Sequence, residues 1–224
     1  MTPSSYRVEE LARTLSRHHA LFELLPEAHR QSLLDFALRF LDEREITLDH
    51  PESRVDVLVA ANAALVGMYQ PVDYFSVLDW IYIGTGSGDH DGEAWGSNKL
   101  LLDSAAVIAE SAQIIPGANV VIHEFAHVLD HMLGLSGGTQ GLRDALETHL
   151  EQLNRGEPGC ISDWRDSIAI DQVMEGNFGY LEQVEFFAYA SEAYFTAPRE
   201  LQRELPGLYR ELLAIYRIDT APLI

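Results

Sequence analysis

The chain has 224 residues, 47% apolar and 22% charged, which is enough to bury a sizeable core and ordinary for a folded globular protein. Its formal charge of −20 repels phosphate backbones and anionic lipid, which argues against nucleic-acid and membrane partners. A single cysteine, Cys160, leaves no internal disulfide, MTPSSYRVEELART lacks a secretory apolar core, and no run approaches the ~18 apolar residues of a membrane span, so a cytoplasmic protein is expected.

In chain order, Ser5 to Arg17 predicts a helix, with Val8, Leu11 and Leu15 on one stripe. Pro26 opens a second, in which Leu33, Phe36, Ala37, Phe40 and Leu41 keep the helical period and face a core. Ser53 is expected to cap a third helix, SRVDVLVAANAALVG, closed by Gly67. It is apolar nearly all round and reads as a central core helix. The aromatic and β-branched run Tyr74 to Ile83 predicts a strand. Gly84 to Glu93 reads as a surface loop, since it lacks the lysine of a phosphate loop and the spacing of a calcium loop, and His90 within it reads as solvated. Lys99 to Asp103 predicts a second strand, and Ser104 to Ala112 a short helix.

The next helix, Val120 to Leu133, reads VVIHEFAHVLDHML and carries H-E-x-x-H at His123, Glu124 and His127. Asn119 is its expected N-cap and Gly134 its stop. Residues four apart lie on one helical face, so two imidazoles can share one zinc ion at about 2.0–2.1 Å each. Glu124 follows the first of them and suits the role of general base. The apolar residues Ile122, Phe125, Val128, Leu129 and Met132 cover most of the other faces. A catalytic zinc needs a third protein ligand. His131 is eight residues from His123, about 12 Å of helix rise, and cannot reach the same ion.

Beyond Gly134 a helix is expected around Leu142 to Leu153, and then a turn-rich connection holding Cys160, which has no nearby base and reads as a bystander thiol. Leu181 to Phe195, LEQVEFFAYASEAYF, predicts a helix crowded with aromatic residues. A carboxylate there is costly unless paired or bound to metal. Glu185 and Glu192 lie two turns apart on one face, with Tyr189 between them. Either carboxylate can serve as the third ligand, and Glu192 can instead hold a ligand histidine.

HEFAHVLD at His123–Asp130 and EFFAYASEAYF at Glu185–Phe195 resemble the Mlc titration factor A family of zinc metallopeptidases and, more distantly, the catalytic domain of anthrax lethal factor. LPEAHRQSLLDFALRFL, AWGSNKLLLD and LPGLYRELLAIYRID extend the resemblance over most of the chain from about Leu25. The resemblance implies Glu185 as the third zinc ligand beside His123 and His127, Glu124 as the base, and one zinc per chain. It also implies a tyrosine seven residues before the ligand glutamate, as oxyanion donor. Phe178 stands there and cannot donate, so Tyr180, two residues on, is the first candidate substitute and Tyr189 another. The family's namesake binds a transcriptional repressor of sugar-transport genes, so a repressor is an alternative partner to a peptide or protein substrate.

The expectation is therefore one α+β domain over residues 1–224, with 1–24 as a helical extension of it. It should be mostly helical, zincin-like with a gluzincin-type ligand set, and carry a small sheet beside the H-E-x-x-H helix. Its chemistry is peptide hydrolysis, as an aminopeptidase or endopeptidase, with Lys99 to Asp103 as an edge strand able to pair with extended substrate.

Overall fold

A computed structural model describes residues 7–50, 54–70, 77–85, 92–95, 98–134, 140–145, 148 and 180–224. The first helix, α1 (Val8–His18), has Glu9 and Glu10 in its first turn and Arg17 and His18 in its last, matching the helix dipole at both ends. A short helix, α2 (Ala20–Leu24), follows as a separate element, because His19 turns extended and caps it. Helix α3 (Glu27–Glu43) starts directly after Pro26 and buries the expected Leu33, Phe36, Ala37 and Phe40. A three-residue strand, β1 (Ile46–Leu48), is an element that the sequence pattern did not predict.

Helix α4 (Val55–Gly67) is buried along its whole length, as expected of a central core helix. Its start corrects the expectation of a Ser53 cap. The N-cap position falls on Arg54, in the left-handed region at φ 56° and without a side-chain cap, while Ser53 lies outside the described residues. Arg54 is held there by an ion pair from its guanidinium to Glu10 at 3.2 Å. The next strand, β2 (Trp80–Gly84), is the C-terminal half of the Tyr74 to Ile83 run; residues 71–76 lie outside the described residues.

The Gly84 to Glu93 segment is not all loop. It runs into strand β3 (Gly92–Trp95), which pairs antiparallel with β4 (Lys99–Asp103). The sheet order is β1-β2-β4-β3, with β1, β2 and β4 parallel. This overturns the reading of Lys99 to Asp103 as an edge strand. β4 is enclosed by β2 on one side and β3 on the other, and the edges of the sheet are β1 and β3. Register places Ile81 beside Leu100 and Ile83 beside Leu102, and these four residues form the buried face of the sheet.

Asp103 ends β4 and at once caps helix α5 (Ser104–Ala112), its carboxylate accepting from the Ala106 amide at 2.9 Å. Helix α6 (Val120–Leu133) has the bounds and caps its sequence predicts. Of the helix expected around Leu142 to Leu153, residues 140–145 are helical and bury Leu142 and Ala145. Cys160, His90 and Phe178 lie outside the described residues.

Helix α7 (Tyr180–Thr196) packs against α6. It is followed by α8 (Pro198–Glu204) and α9 (Pro206–Tyr216), each with proline in its first turn. From Glu185 to Pro198 no residue is exposed. The face of α7 away from α6 is tied down by tyrosines. Tyr194 donates to the Ile218 carbonyl, and Tyr216 donates to Ser191 Oγ at 2.6 Å. Phe40 on α3 meets Phe125 on α6 edge to face at 5.7 Å, joining the N-terminal helices to one continuous apolar core. The architecture is the expected α+β, zincin-like one: mostly helical, with a small sheet beside the H-E-x-x-H helix. Among the described residues no helix is long and apolar enough to cross a membrane.

Candidate metal centre

The start of α6 is fixed by three side chains. Asn119 Oδ1 accepts from the Ile122 amide at 3.0 Å, Glu110 from the Val120 amide at 2.6 Å, and Glu192 from the Asn119 amide at 2.5 Å. Helix N-termini leave their first amides without intrahelical partners, so two acids and an amide here satisfy both the bonding and the dipole. Gly134 ends the helix at φ 64°, its amide bonding back to the Asp130 carbonyl at 2.8 Å.

One turn apart on this rigid element, the rings of His123 and His127 meet edge to face with centroids 4.8 Å apart. Glu185 reaches both from α7. Its Oε2 lies 3.3 Å from His123 Nε2, and its Oε1 lies 3.5 Å from His127 Nε2. One ligand atom from each of the three residues can be chosen so that all lie within 4.8 Å of one another. The side chains stay partly open to solvent, 14% and 16% for the histidines and 34% for Glu185, so the cluster sits at a surface opening.

The second acid on α7 has a different place. Glu192 Oε1 lies 2.7 Å from His123 Nδ1, on the far side of the ring from Glu185. With Nδ1 committed to Glu192, His123 Nε2 is the nitrogen left facing Glu185 and His127. Tyr189 packs its ring on His123 at a centroid distance of 4.8 Å. The two carboxylates that the sequence left as alternatives thus occupy opposite nitrogens of one imidazole.

Burial opposes protonation of His123, but hydrogen bonding to Glu185 and Glu192, with Glu124 nearby, pushes its pKa up to about 10. Burial, reinforced by the charge on His123, pushes His127 down to about 4. Burial also works against ionisation of Glu185, yet contact with the two histidines holds its carboxyl below the usual range. Burial pushes Glu192 upward despite its hydrogen bonds from His123 and Asn119. Two imidazole nitrogens and a carboxylate, with a buried acid bonded to the other nitrogen of one imidazole, form a donor set that fits a divalent metal ion.

Glu124 is buried at 6% exposure, directly after His123. Tyr180 opens α7, and its side chain lies outside the described residues. Sequence reasoning missed Asn62, His19 and Glu110. Only Asn62 left a trace, as a lone amide in the apolar run VLVAANAALVG.

Comparison with known proteins places these features in a family. Residues 84–217, more than half of the chain, match the family described as glucose-regulated metallo-peptidase M90. The chain is 29% identical over 144 residues to Mlc titration factor A of Yersinia enterocolitica, a match covering 61% of this chain and 51% of that protein. The same identity and coverage are found with Mlc titration factor A of Pectobacterium atrosepticum. With that of Yersinia pestis, strain Pestoides F, identity is 27% over 146 residues, or 61% of this chain and 50% of that protein. The chain therefore spans about half the length of the curated relatives it matches. The α6 histidines, Glu185 and Glu192 all fall inside the family match, whereas α1 to α4 fall before it. By that match, this chain belongs to the glucose-regulated metallo-peptidase M90 family.

Proposed function

We propose that the chain is a zinc-dependent metallopeptidase of the cytoplasm, acting as one catalytic domain, in which His123, His127 and Glu185 hold one zinc ion and Glu124 is the general base. The observation that carries this reading is the convergence of Glu185 on both Nε2 atoms of the α6 pair. A bound zinc ion supplies Lewis acidity, which brings loss of a proton from water into the neutral range and polarises an amide carbonyl. Glu124 takes the proton as water adds to the carbonyl carbon, then delivers it to the amine as the C–N bond breaks. Glu192 keeps His123 in the tautomer that presents Nε2. Tyr180 is assigned as the donor to the developing oxyanion, in place of the phenylalanine at 178. With β4 enclosed, the strand available to an extended peptide is β3, the edge beside α6.

The relatives' name supports a second reading, in which this chain binds a repressor such as Mlc without cutting it. The variant Glu124→Gln separates the two. Zinc uptake near one per chain should persist, hydrolysis of peptides should disappear, and any repressor binding should survive. Hydrolysis at the wild-type rate in this variant, or a wild-type protein that takes up no zinc on reconstitution, sinks the enzymatic mechanism.

A further inference from the structure

Apart from Asp56 in its first turn, α4 carries one polar side chain, Asn62, which is fully buried. Every hydrogen-bonding position of its amide is used. Nδ2 donates to the Leu58 carbonyl at 3.1 Å and to Ser111 Oγ at 3.0 Å. Oδ1 accepts from Asn119 Nδ2 at 3.2 Å and from His19 Nε2, also at 3.2 Å.

Backbone groups fix the direction of each bond. His19 Nδ1 accepts from the Phe22 amide at 3.2 Å, so its Nε2 carries the proton given to Asn62. Asn119 Oδ1 caps Ile122, so its Nδ2 is the end that donates. The backbone N–H of Asn119 in turn donates to Glu192 Oε2, and Glu192 Oε1 accepts from His123 Nδ1. A continuous rail of buried bonds thus runs from the α1–α2 junction to the imidazole of His123. His19, Asn62, Asn119 and Glu192 are all 5% exposed or less.

We propose that Asn62 is a positioning residue for the metal centre: it holds Asn119 so that Glu192 stays seated on His123, and thereby presents Nε2 toward Glu185 and His127. The proposal rests on the reading of His123 as a zinc ligand. It assigns to the helical layer before residue 84, which lies outside the family match, a part in building the site. If Asn62 only filled the core, its loss would lower stability and leave the His123–Glu192 bond as it is. If it positions, its loss frees that bond.

The test uses the metal-free full chain as wild type, Asn62→Ala, Asn119→Ser and Val57→Ala. Serine caps helices about as well as asparagine but cannot reach back to Asn62, so Asn119→Ser keeps α6 intact. Val57→Ala truncates a fully buried side chain on the same helix, outside the rail. Solvent exchange of the His123 Nδ1 proton is followed by NMR, and zinc affinity by competition with a chromophoric chelator. We expect exchange at least tenfold faster, and zinc binding about 10–100-fold weaker, in Asn62→Ala and Asn119→Ser. Val57→Ala should melt earlier with both quantities unchanged. Wild-type exchange in the two rail variants overturns the proposal. Accelerated exchange in a protein that takes up no zinc in any form overturns the metal reading and leaves the positioning of Glu192 by Asn62 standing.

Discussion

Replacing His19 with glutamine should reverse its effect on stability across a narrow acid range. His19 accepts from the Phe22 amide at Nδ1 and donates from Nε2, an arrangement open only to the neutral ring. Protonation turns Nδ1 into a donor aimed at another donor. Burial, only partly opposed by the bond to Asn62, therefore pushes its pKa from 6.5 down to about 4. A histidine with a depressed folded-state pKa destabilises as pH falls, because between pH 6.5 and 4 the unfolded chain binds the extra proton. At about 1.4 kcal/mol per tenfold, the full penalty is about 3.5 kcal/mol, complete below pH 4, about 3 kcal/mol at pH 4 and absent above about pH 7. Glutamine removes that penalty but disturbs two hydrogen bonds, at roughly 1 kcal/mol each. At pH 8 the variant should be less stable by about 1–2 kcal/mol, and by pH 4.5 the gap should close or change sign. Urea unfolding of both proteins at half-unit pH steps measures this. Differencing the two removes the general relief of repulsion as the 35 acidic side chains protonate. A gap that stays constant from pH 8 to 4.5 refutes the reasoning.

Two further outcomes follow from the metal centre and its surroundings. Zinc held at one hundred times its dissociation constant should stabilise the fold by about 2.7 kcal/mol, raising the melting temperature by roughly 5–10 °C, and a chelator should reverse this. A melting temperature indifferent to zinc, read by calorimetry, argues against a preformed site. Tyr180→Phe should lower kcat/KM by about 10²–10³, the usual loss of one oxyanion donor. No loss there, combined with a gain in Phe178→Tyr on the same peptide, would show that Tyr180 does not fill that role.

Elements whose limits are set locally could be read from the chain. The bounds of α6 follow from Asn119, Gly134 and an apolar stripe, and all three signals lie within the helix or beside it. The boundary between β4 and α5 is similarly local, because Asp103 serves as both strand end and cap. β1 has three residues, too few for an alternating pattern to register, and β3 begins inside a glycine-rich segment. Whether β4 was central or at an edge depended on neighbours distant in sequence, and its apolar KLLLD gave no sign of either. At the site, spacing put Glu185 and Glu192 on one face of α7 and could not rank them. Their separation into one that meets Nε2 and one that meets Nδ1 comes from how α7 crosses α6. Asn62 was recognisable as an anomaly, but its side-chain partners lie 43, 49 and 57 residues away.

The crowding of α7 has an evolutionary consequence. Between Glu185 and Pro198 it has no solvent-facing stripe, since one side meets α6 and the other is tied to Ile218 and Tyr216. A typical surface helix offers neutral drift roughly half its positions, and this one offers almost none. Change along it must therefore come as matched replacements across two interfaces, a phenylalanine shrinking here as a neighbour grows there. The helix should be among the slowest-diverging parts of the chain for reasons of volume as well as chemistry. Slow divergence at Ser191 or Tyr194 would then be a mark of fit, and at Glu185 and Glu192 it would also follow their contacts with His123.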